Sequence, residues 1–260
     1  MAALTSRRSE ELHQTRRLKL IVSYDGSEFA GWQSQRHGNT IQDAIERSLS
    51  TISGYQVVLA GAGRTDAGVH ALGQCAHADV AAGKLDAGEW LKALNATLPP
   101  AIRILRARLT GGEFHARFSA RAKLYRYRIS TDAVLSPFEN GRAWHITRPL
   151  EFAVLSDAAA LFVGRHDFAA FSAKRGKPEP NTVRSIESVR VRRRGQLISL
   201  EFCGDGFLYK MVRMMVGALV RHASGKGPRD AIQERLEHPT RQGAAFVAPA
   251  HGLYLVSVRY

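Results

Sequence analysis

Cysteine is almost absent from this sequence: Cys75 and Cys203 are the only two in 260 residues, and no C-x-x-C motif occurs. The chain is therefore predicted to have neither a disulfide framework nor a metal site of the zinc type. Both cysteines lie in strand-like apolar runs, and we expect both to be plain core residues.

Long apolar runs are also missing. A membrane-spanning helix needs about 20 consecutive apolar residues, whereas the most apolar run here, Met211 to Val220, contains Arg213. The N-terminal residues include Arg7 and Arg8 and have no apolar signal-peptide core. We therefore expect a cytoplasmic protein that does not enter a membrane.

Acidic residues are scarce relative to basic ones, with 23 Asp and Glu against 37 Lys and Arg, so the net charge is +14. An excess of this size favours a polyanionic partner, and nucleic acid fits better than a membrane surface because no basic amphipathic helix is present. The excess is concentrated in two clusters, in which arginine suits contact with phosphate. They are Arg103, Arg106, Arg108, Arg117, Arg121, Lys123, Arg126 and Arg128, and then Arg190, Arg192, Arg193 and Arg194.

Apolar spacing switches between the periods of strands and helices along the chain. Each half mixes about four strands with about two helices and lacks strict βαβ alternation, which predicts an α+β fold with two subdomains. Residues 1–17 are predicted to be a disordered basic tail, 18–112 the N-terminal subdomain and 113–260 the C-terminal subdomain. Strands are predicted at 18–24, 55–60, 72–80, 102–109, 123–130, 184–191, 196–202 and 253–260, and helices after Thr40, after Asp86, at 151–163, at 207–221 and from Pro228.

A glycine-rich loop from Gly61 to His70 follows a predicted strand and begins with Gly-x-Gly. A dinucleotide-binding fingerprint needs a third glycine three residues after the second, and then a helix. Here Gly68 comes later, the next segment reads as a strand, and Asp66 would repel a pyrophosphate. The loop places Arg64 two residues before Asp66, so either Asp66 closes an Asx turn with its own backbone or the loop approaches a ligand closely.

Two residues outside this loop also carry chemistry. Arg213 lies on the flank of a predicted apolar helix, where a partly buried guanidinium needs a carboxylate partner. Asp66 is one candidate partner, and another acid or a snorkelling arginine is the alternative. Tyr125 lies in the segment 123–128, where aromatic and basic residues alternate. That alternation is typical of RNA binding, in which rings stack on bases, although it also suits two tyrosines packed in a strand.

A series of motifs in fixed order covers nearly the whole chain, from Leu18 to Tyr260, and this series resembles the tRNA pseudouridine synthase A family. The longest motif has eight residues, so chance similarity is an unsatisfactory explanation. The matching stretches are 24–26, 29–33, 63–70, 73–74, 94–95, 98–99, 114–120, 125–127, 166–168, 207–209, 211–213 and 252–255. Two positions depart from the family's pattern: Lys210 stands where histidine or asparagine is more common, and 76–78 is less apolar.

The resemblance implies an α+β fold of two similar mixed subdomains, with antiparallel sheets flanking a basic RNA-binding cleft, and a homodimer. It implies isomerisation of uridine to pseudouridine in the anticodon stem-loop of tRNA, at positions 38, 39 and 40, without a cofactor or metal. By the same resemblance, Asp66 is the catalytic carboxylate, Arg213 pairs with Asp66, Tyr125 stacks on the target base and Arg64 displaces that base from the stem.

Two other functions remain open at this point. A non-catalytic RNA-binding protein on the same scaffold would share the charge and the aromatic strand, but it has no need for Arg64, Asp66 and Arg213 together. A base-excising glycosylase would release the base and leave an abasic sugar. The mass and structure of the product separate all three functions, because only the isomerase leaves the mass of the RNA unchanged while altering a uridine.

Overall fold

The computed structural model describes residues 15–36, 38–173, 179–226, 228, 230–239 and 246–260. They divide into two compact units, one up to Ala120 together with Tyr260, and one from Arg121 to Arg259. The first unit thus extends beyond the boundary that we predicted at residue 112. Within the described ranges, none of the helices has both the length and the apolar character needed to cross a bilayer.

The first unit is built on antiparallel strands, with β1 lying between β3 and β4 and with β2 paired to β3. Alternation along β1 buries Leu18, Leu20 and Val22, and this pattern directs one face of the strand into the core. The elements are β1 (Thr15–Tyr24), α1 (Ile41–Ser53), β2 (Leu59–Gly61), β3 (His70–Ala81), α2 (Ala87–Thr97) and β4 (Ile102–Thr110).

Both predicted helix caps of this unit are confirmed. The Thr40 hydroxyl accepts the N–H of Asp43 at 3.2 Å, and Asp86 and Glu89 form a reciprocal capping box at the start of α2. Each cap satisfies backbone donors that the first helical turn leaves without partners, a contribution of about 1 kcal/mol. The caps explain why both helices begin where the sequence placed them.

Two predictions for this unit need correction. The strand predicted at 55–60 is reduced to Leu59–Gly61, because the N–H of Val57 bonds Ser50 Oγ and the N–H of Leu59 bonds a carboxylate of α1, Glu46. The disordered tail was predicted to reach residue 17, but β1 begins at Thr15 and Arg17 pairs with Asp79 at 2.8 Å. The rest of the predicted tail lies outside the described residues.

The segment 113–120 belongs to the first unit because it packs on the face of β1 and β3 opposite the buried leucines. The N–H of Ala116 donates to His77 Nδ1 at 3.1 Å, and the hydroxyl of the C-terminal residue Tyr260 donates to the carbonyl of Ala116 at 2.8 Å. Lys19 lies over the rings of Phe114 and Tyr260, at 4.3 and 4.0 Å from their centroids. These contacts hold the segment beyond the Gly111-Gly112 pair on the first unit.

The second unit has a longer strand order, β10-β5-β9-β8-β7, with β6 added in parallel to β5. Along β5 the predicted alternation is confirmed, since Tyr125, Tyr127 and Ile129 are all buried. The elements are β5 (Ala122–Ser130), β6 (Trp144–His145), α3 (Phe152–Ala160), β7 (Gly164–Asp167), β8 (Val183–Arg194), β9 (Leu197–Gly204), α4 (Met211–Ala223), α5 (Ala231–Glu237) and β10 (Leu253–Arg259), with 3₁₀ turns at Ala169–Phe171 and Ala250–Gly252. The α+β class is confirmed.

Several helix bounds in this unit are narrower than predicted. Helix α4 begins at Met211 instead of residue 207, because Lys210 adopts a left-handed backbone with φ of 60° that cannot continue a helix. Helices α3 and α5 also begin later than predicted. Cys75 is buried as expected, but Cys203 is half-buried and donates to Glu187 at 3.4 Å, so it is not a plain core residue.

His77 should make the stability of the first unit depend on pH. Burial, reinforced by nearby Arg17 and His115, lowers the pKa of His77 from 6.5 to about 4 in the folded chain. Between these pH values the unfolded chain binds a proton that the folded chain does not, so stability falls as pH falls through this window. Between pH 7 and pH 5, the free energy of unfolding should fall by about 2 kcal/mol less in His77→Gln than in wild type. Urea unfolding at the two pH values measures this difference.

Exposed His238 supplies the control for this experiment. The His238→Gln variant should keep the pH dependence of wild type, because it leaves His77 and the residues around it unchanged. Equal pH dependence in wild type and His77→Gln would show that His77 does not carry the effect.

Candidate active site

The loop that carries Asp66 connects β2 to β3 in the first unit. Its side chains differ in exposure: Arg64 is exposed, Thr65 is buried and Asp66 is half-buried. A backbone bond from the N–H of Val69 to the carbonyl of Asp66, 3.1 Å, closes a turn in which Gly68 has φ of 75°. The positive φ explains the glycine at that position, since a side chain there would be strained.

Hydrogen bonds fix both ends of this loop. On one side, the N–H of Trp32 donates to the carbonyl of Thr65 at 3.1 Å, and the Tyr24 hydroxyl lies 2.8 Å from the hydroxyl of Thr65. On the other side, the amide of Gln74 in β3 donates to the carbonyl of Gly63 at 2.7 Å. Asp66 therefore sits on backbone that is held from two directions, which limits the positions its carboxylate can take.

Two glycines allow the segment after β1 to lie directly against the loop. A Cβ on Gly31, which has φ of 97°, would stand 2.5 Å from the carbonyl oxygen of Thr65 and 3.0 Å from the carbonyl carbon of Asp66. A Cβ on Gly26 would collide with the backbone carbonyl of Val69. Only glycine permits backbone-to-backbone contact at such separations. These two positions therefore set the distance between the Asp66 loop and the segment after β1.

Arg64 is oriented by the same segment. Its Nε donates to Gln33 Oε1 at 3.0 Å, while Gln33 Nε2 donates to Gln42 of α1 at 2.7 Å. The side-chain amides of Gln33 and Gln42 thus connect the exposed guanidinium of Arg64 to α1. Arg64 and Asp66 are thus brought together by one loop, and one neighbouring segment holds both of them.

Tyr125 lies in the second unit, on β5, opposite Phe202 of β9 and Leu255 of β10. Its ring is 7% exposed and meets Phe207 edge to face, with centroids 5.0 Å apart. The packing fixes the orientation of the ring. It also gives Tyr125 core contacts. Packing in a strand was the alternative to RNA binding that the sequence left open for this residue.

Arg213 also lies in the second unit, half-buried on α4 between buried apolar residues, as the helical spacing predicted. Its Nε donates to the carbonyl of Ala248 at 2.7 Å, and the N–H of Ala248 returns a bond to the carbonyl of Arg213 at 3.1 Å. Burial raises the pKa of nearby Tyr127, against the opposing effect of the Arg213 cation, and the Tyr127 hydroxyl donates to Pro249 at 2.8 Å. Arg213 therefore anchors the 246–249 segment to α4, and its pairing with Asp66 stays a prediction.

A metal site was not predicted, and the described part of the chain contains no group of three His, Cys, Asp or Glu side chains that could hold an ion. The absence of a cofactor stays a prediction. The loop and its supporting residues combine the Asp66 carboxylate with a guanidinium, amides and hydroxyls. This set suits proton transfer or nucleophilic attack on an organic substrate.

Comparison with known proteins decides the family. The profile of a family described as tRNA pseudouridine synthase matches residues 20–119 and 158–260 of this chain. The chain belongs to this tRNA pseudouridine synthase family. It is 44% identical over 253 residues to the tRNA pseudouridine synthase A of Akkermansia muciniphila, covering 94% of this chain and 95% of that protein.

Two further members of the family are similar over comparable lengths. The tRNA pseudouridine synthase A of Methylacidiphilum infernorum is 43% identical over 242 residues, covering 93% of this chain and 94% of that protein. The protein of the same name from Acetivibrio thermocellus is 41% identical over 245 residues, covering 94% of this chain and all of the relative. Family membership therefore extends over both compact units.

Sequence reasoning assigned no role to the residues that support the loop of this family member. These residues lie in motifs of the family resemblance, but their contacts with Thr65, Arg64 and Val69 join positions 31 to 43 residues apart. They are Tyr24, Gly26, Gly31, Trp32 and Gln33. The available signal was the pair Gly26 and Gly31, since a residue without a Cβ allows a close backbone approach, but such an approach was predicted only for the glycines of the loop itself. The sequence did not show what it approaches.

Gly31→Ala should reduce activity by displacing the Asp66 loop. The new methyl group must push the carbonyl of Thr65 away, and the alanine must also adopt φ of 97°. Gly38→Ala is the matched control, since Gly38 has φ of 67° but no atom within 4 Å of its added Cβ. We expect both variants to lose about 1 kcal/mol of stability from the positive φ.

The two alanine variants should separate when turnover is measured. A displacement of about 1 Å at a catalytic group costs roughly 100-fold in rate, so kcat should fall strongly for Gly31→Ala and stay near wild type for Gly38→Ala. Equal kcat in the two variants would mean that contact with Gly31 does not position the loop.

Proposed function

We propose that this chain isomerises uridine to pseudouridine in the anticodon stem-loop of tRNA, at positions 38, 39 and 40. The observation that carries the proposal is the Asp66 loop, held in one place by Gly31, Trp32 and Gln74 in a member of the tRNA pseudouridine synthase family. The resemblance also supports a homodimer that works in the cytoplasm. Light scattering of the purified chain tests the dimer.

The reaction breaks the bond between uridine N1 and the sugar C1′, rotates the base and forms a new bond from C5 to C1′. The proton on C5 is then released and N1 takes up a proton, so atoms and charge balance without an oxidant or reductant. The chemistry therefore needs no cofactor. A base inside a stem must first be extruded, which costs a few kcal/mol.

Asp66 acts as an ionised carboxylate. It attacks the sugar at C1′, attacks the base at C6 or removes the proton at C2′, and each route requires a carboxylate in a fixed position. Loop anchoring by Thr65 and Gly63 supplies that position, and by the family resemblance the Arg213 cation pairs with the carboxylate.

Arg64 and Tyr125 act on the extruded base. Arg64 is exposed, and Gln33 accepts from its Nε. In this proposal its guanidinium enters the space that the base leaves. Tyr125 stacks on the base, and stacking of this kind returns about 1–3 kcal/mol towards the cost of extrusion. Its fixed packing against Phe207 reduces the entropy that stacking would lose.

The outer part of β8 supports binding to an RNA backbone. Arg190, Arg192 and Arg194 alternate along the strand, so they point to one side at intervals of about 6.7 Å, and all three are exposed. Among the described residues, none of them forms an ion pair. Guanidinium groups in such a row are available for phosphate oxygens.

Removal of the Asp66 carboxylate should abolish isomerisation while RNA still binds. With tRNA that carries tritium at uridine C5, wild type should release tritium into water, and Asp66→Ala and Asp66→Asn should be at least about 10⁴-fold slower. Asp86→Asn is the control, because it removes an equal charge while asparagine still caps α2. Loss of binding in parallel with activity would count against a chemical role for Asp66.

The tritium assay also separates the alternative functions. No release from any tRNA, despite salt-sensitive binding, would favour the non-catalytic RNA-binding protein. An abasic site in the product would indicate a glycosylase.

Replacement of the three β8 arginines should weaken tRNA binding through charge. In Arg190→Gln/Arg192→Gln/Arg194→Gln, the slope of log binding constant against log salt should decrease by about 2 to 3, because roughly one counterion is released for each phosphate contact. The control Lys92→Gln/Arg221→Gln/Lys226→Gln removes the same charge from exposed positions elsewhere. Equal slopes in the two triple variants would mean that the effect is one of net charge alone.

A further inference from the structure

One motif of the sequence, residues 114–120, has no part in the reaction described above. It forms the segment that packs on β1 and β3 of the first unit, and it ends in an unusual side chain. Phe118 is 78% exposed. Single exposed apolar residues are common on proteins and need no explanation by themselves, but Phe118 differs from them in how it is held.

The backbone on either side of Phe118 is fixed by four hydrogen bonds. His115 Nδ1 accepts the N–H groups of Arg117 and Phe118 at 3.1 and 3.2 Å, and His115 and Ser119 exchange two further bonds at 3.0 and 2.9 Å. Fully buried Ala116 is bound on both its N–H and its carbonyl, by His77 and Tyr260. An exposed aromatic residue thus stands on backbone that is as constrained as a turn in the core.

The ring of Phe118 is oriented as well as its backbone. One face stacks on the His115 ring, with centroids 4.3 Å apart and planes inclined by 30°. Because Phe118 is 78% exposed, most of the ring surface that His115 does not cover faces solvent. A rigid aromatic face that has already lost its rotamer freedom binds a flat partner at a lower entropic cost.

The charges near this ring identify the chemistry of the partner. The guanidinium of exposed Arg117 lies 5.7 Å from the centroid of Phe118, and Lys19 lies under the same segment against Phe114 and Tyr260. Arg17, which binds the carbonyls of Gly112 and Phe114, is already paired with Asp79. An aromatic face beside an exposed arginine suits a nucleobase attached to a phosphate, whereas an apolar protein surface would leave Arg117 desolvated.

We propose that Phe118 and Arg117 form a second base-stacking platform, which binds an unpaired nucleotide of the RNA away from the uridine that reacts at Asp66. The proposal rests on the proposed function for the identity of the RNA as tRNA. Phe118 contributes to affinity and to the choice of RNA, and it takes no part in the chemical step.

The test compares RNA affinity and turnover in variants of Phe118. Phe118→Leu keeps an apolar side chain but removes the aromatic face, and Phe118→Trp enlarges that face. Loss of one stacked base is worth about 1–3 kcal/mol, so the Kd for tRNA should rise about 5- to 150-fold in Phe118→Leu, with kcat at saturating tRNA unchanged. Phe118→Trp should bind at least as tightly as wild type.

Phe138 provides the matched control, since it is another exposed phenylalanine, 85% accessible, in the second unit. Phe138→Leu should bind tRNA as wild type does. An equal loss of affinity in Phe118→Leu and Phe138→Leu would overturn the proposal, because it would show a general effect of surface hydrophobicity.

Fluorescence gives a direct readout of stacking. In the Phe118→Trp variant the new indole should be quenched when tRNA binds. The change is measured against wild type, because Trp32 and Trp90 are buried but Trp144 is half-buried. Tight binding without quenching in this variant would also overturn the platform.

Three further outcomes distinguish the stacking platform from a protein interface and from the proposed isomerase function. If light scattering shows that Phe118→Leu changes the oligomeric state, Phe118 belongs to a protein interface and the platform is wrong. If wild type releases no tritium but binds RNA in a manner that depends on Phe118, the proposed isomerase function fails and the platform stands. Normal turnover together with wild-type affinity for tRNA in Phe118→Leu would overturn the platform and leave the proposed isomerase function intact.

Discussion

The candidate site depends on the close approach of two backbone segments, the one that follows β1 and the loop that joins β2 to β3. Gly31 and Gly26 have no Cβ, so the first segment lies directly on the carbonyls of Thr65 and Val69. The bond from Trp32 to Thr65 then fixes the spacing. Asp66 is carried by a loop, the least ordered kind of structure, yet its backbone is held as tightly as a strand because a second segment lies against it.

The same constraint determines which other groups can act with Asp66. Gln33 extends from the supporting segment and holds Arg64 at its Nε, so the carboxylate and the guanidinium of the loop share one support. In the second unit Arg213 has a comparable role, because it joins α4 to the 246–249 segment through Ala248. In each unit a polar side chain or glycine connects a regular element to an irregular segment, and the residues that we propose for the reaction lie at that connection.

The proposed recognition of RNA involves two kinds of surface on this chain. The row of arginines on β8 offers charge with little geometric restriction, which suits a phosphate backbone of any sequence. Phe118 carries no charge, but its ring has a fixed orientation because His115 covers one ring face and Ala116 is hydrogen-bonded on both its N–H and its carbonyl. Binding of the first kind depends on salt, whereas binding of the second kind depends on an available base.

The amino-acid pattern by itself determined the α+β class, the two capped helices, the alternation of β5 and the position of the glycine-rich loop. Each of these depends on residues near one another in sequence, through caps, periodicity and turns. The motif series was also sufficient to indicate the family that the comparisons confirm. Local signals failed where distant partners compete for the backbone: Ser50 and Glu46 take the donors of Val57 and Leu59, and the predicted strand there is shortened.

Only the tertiary structure decided what holds Asp66, how Phe118 is oriented and where the first unit ends. The partners of Thr65 lie at Tyr24 and Trp32, and those of Ala116 lie at His77 and at the last residue, Tyr260. Contacts across such separations form because strand pairing brings distant segments together, and no periodicity in the sequence encodes them. A single sequence reveals which residues have the right chemistry, whereas the packing of β1 against β3 and its neighbours determines which of them are held still.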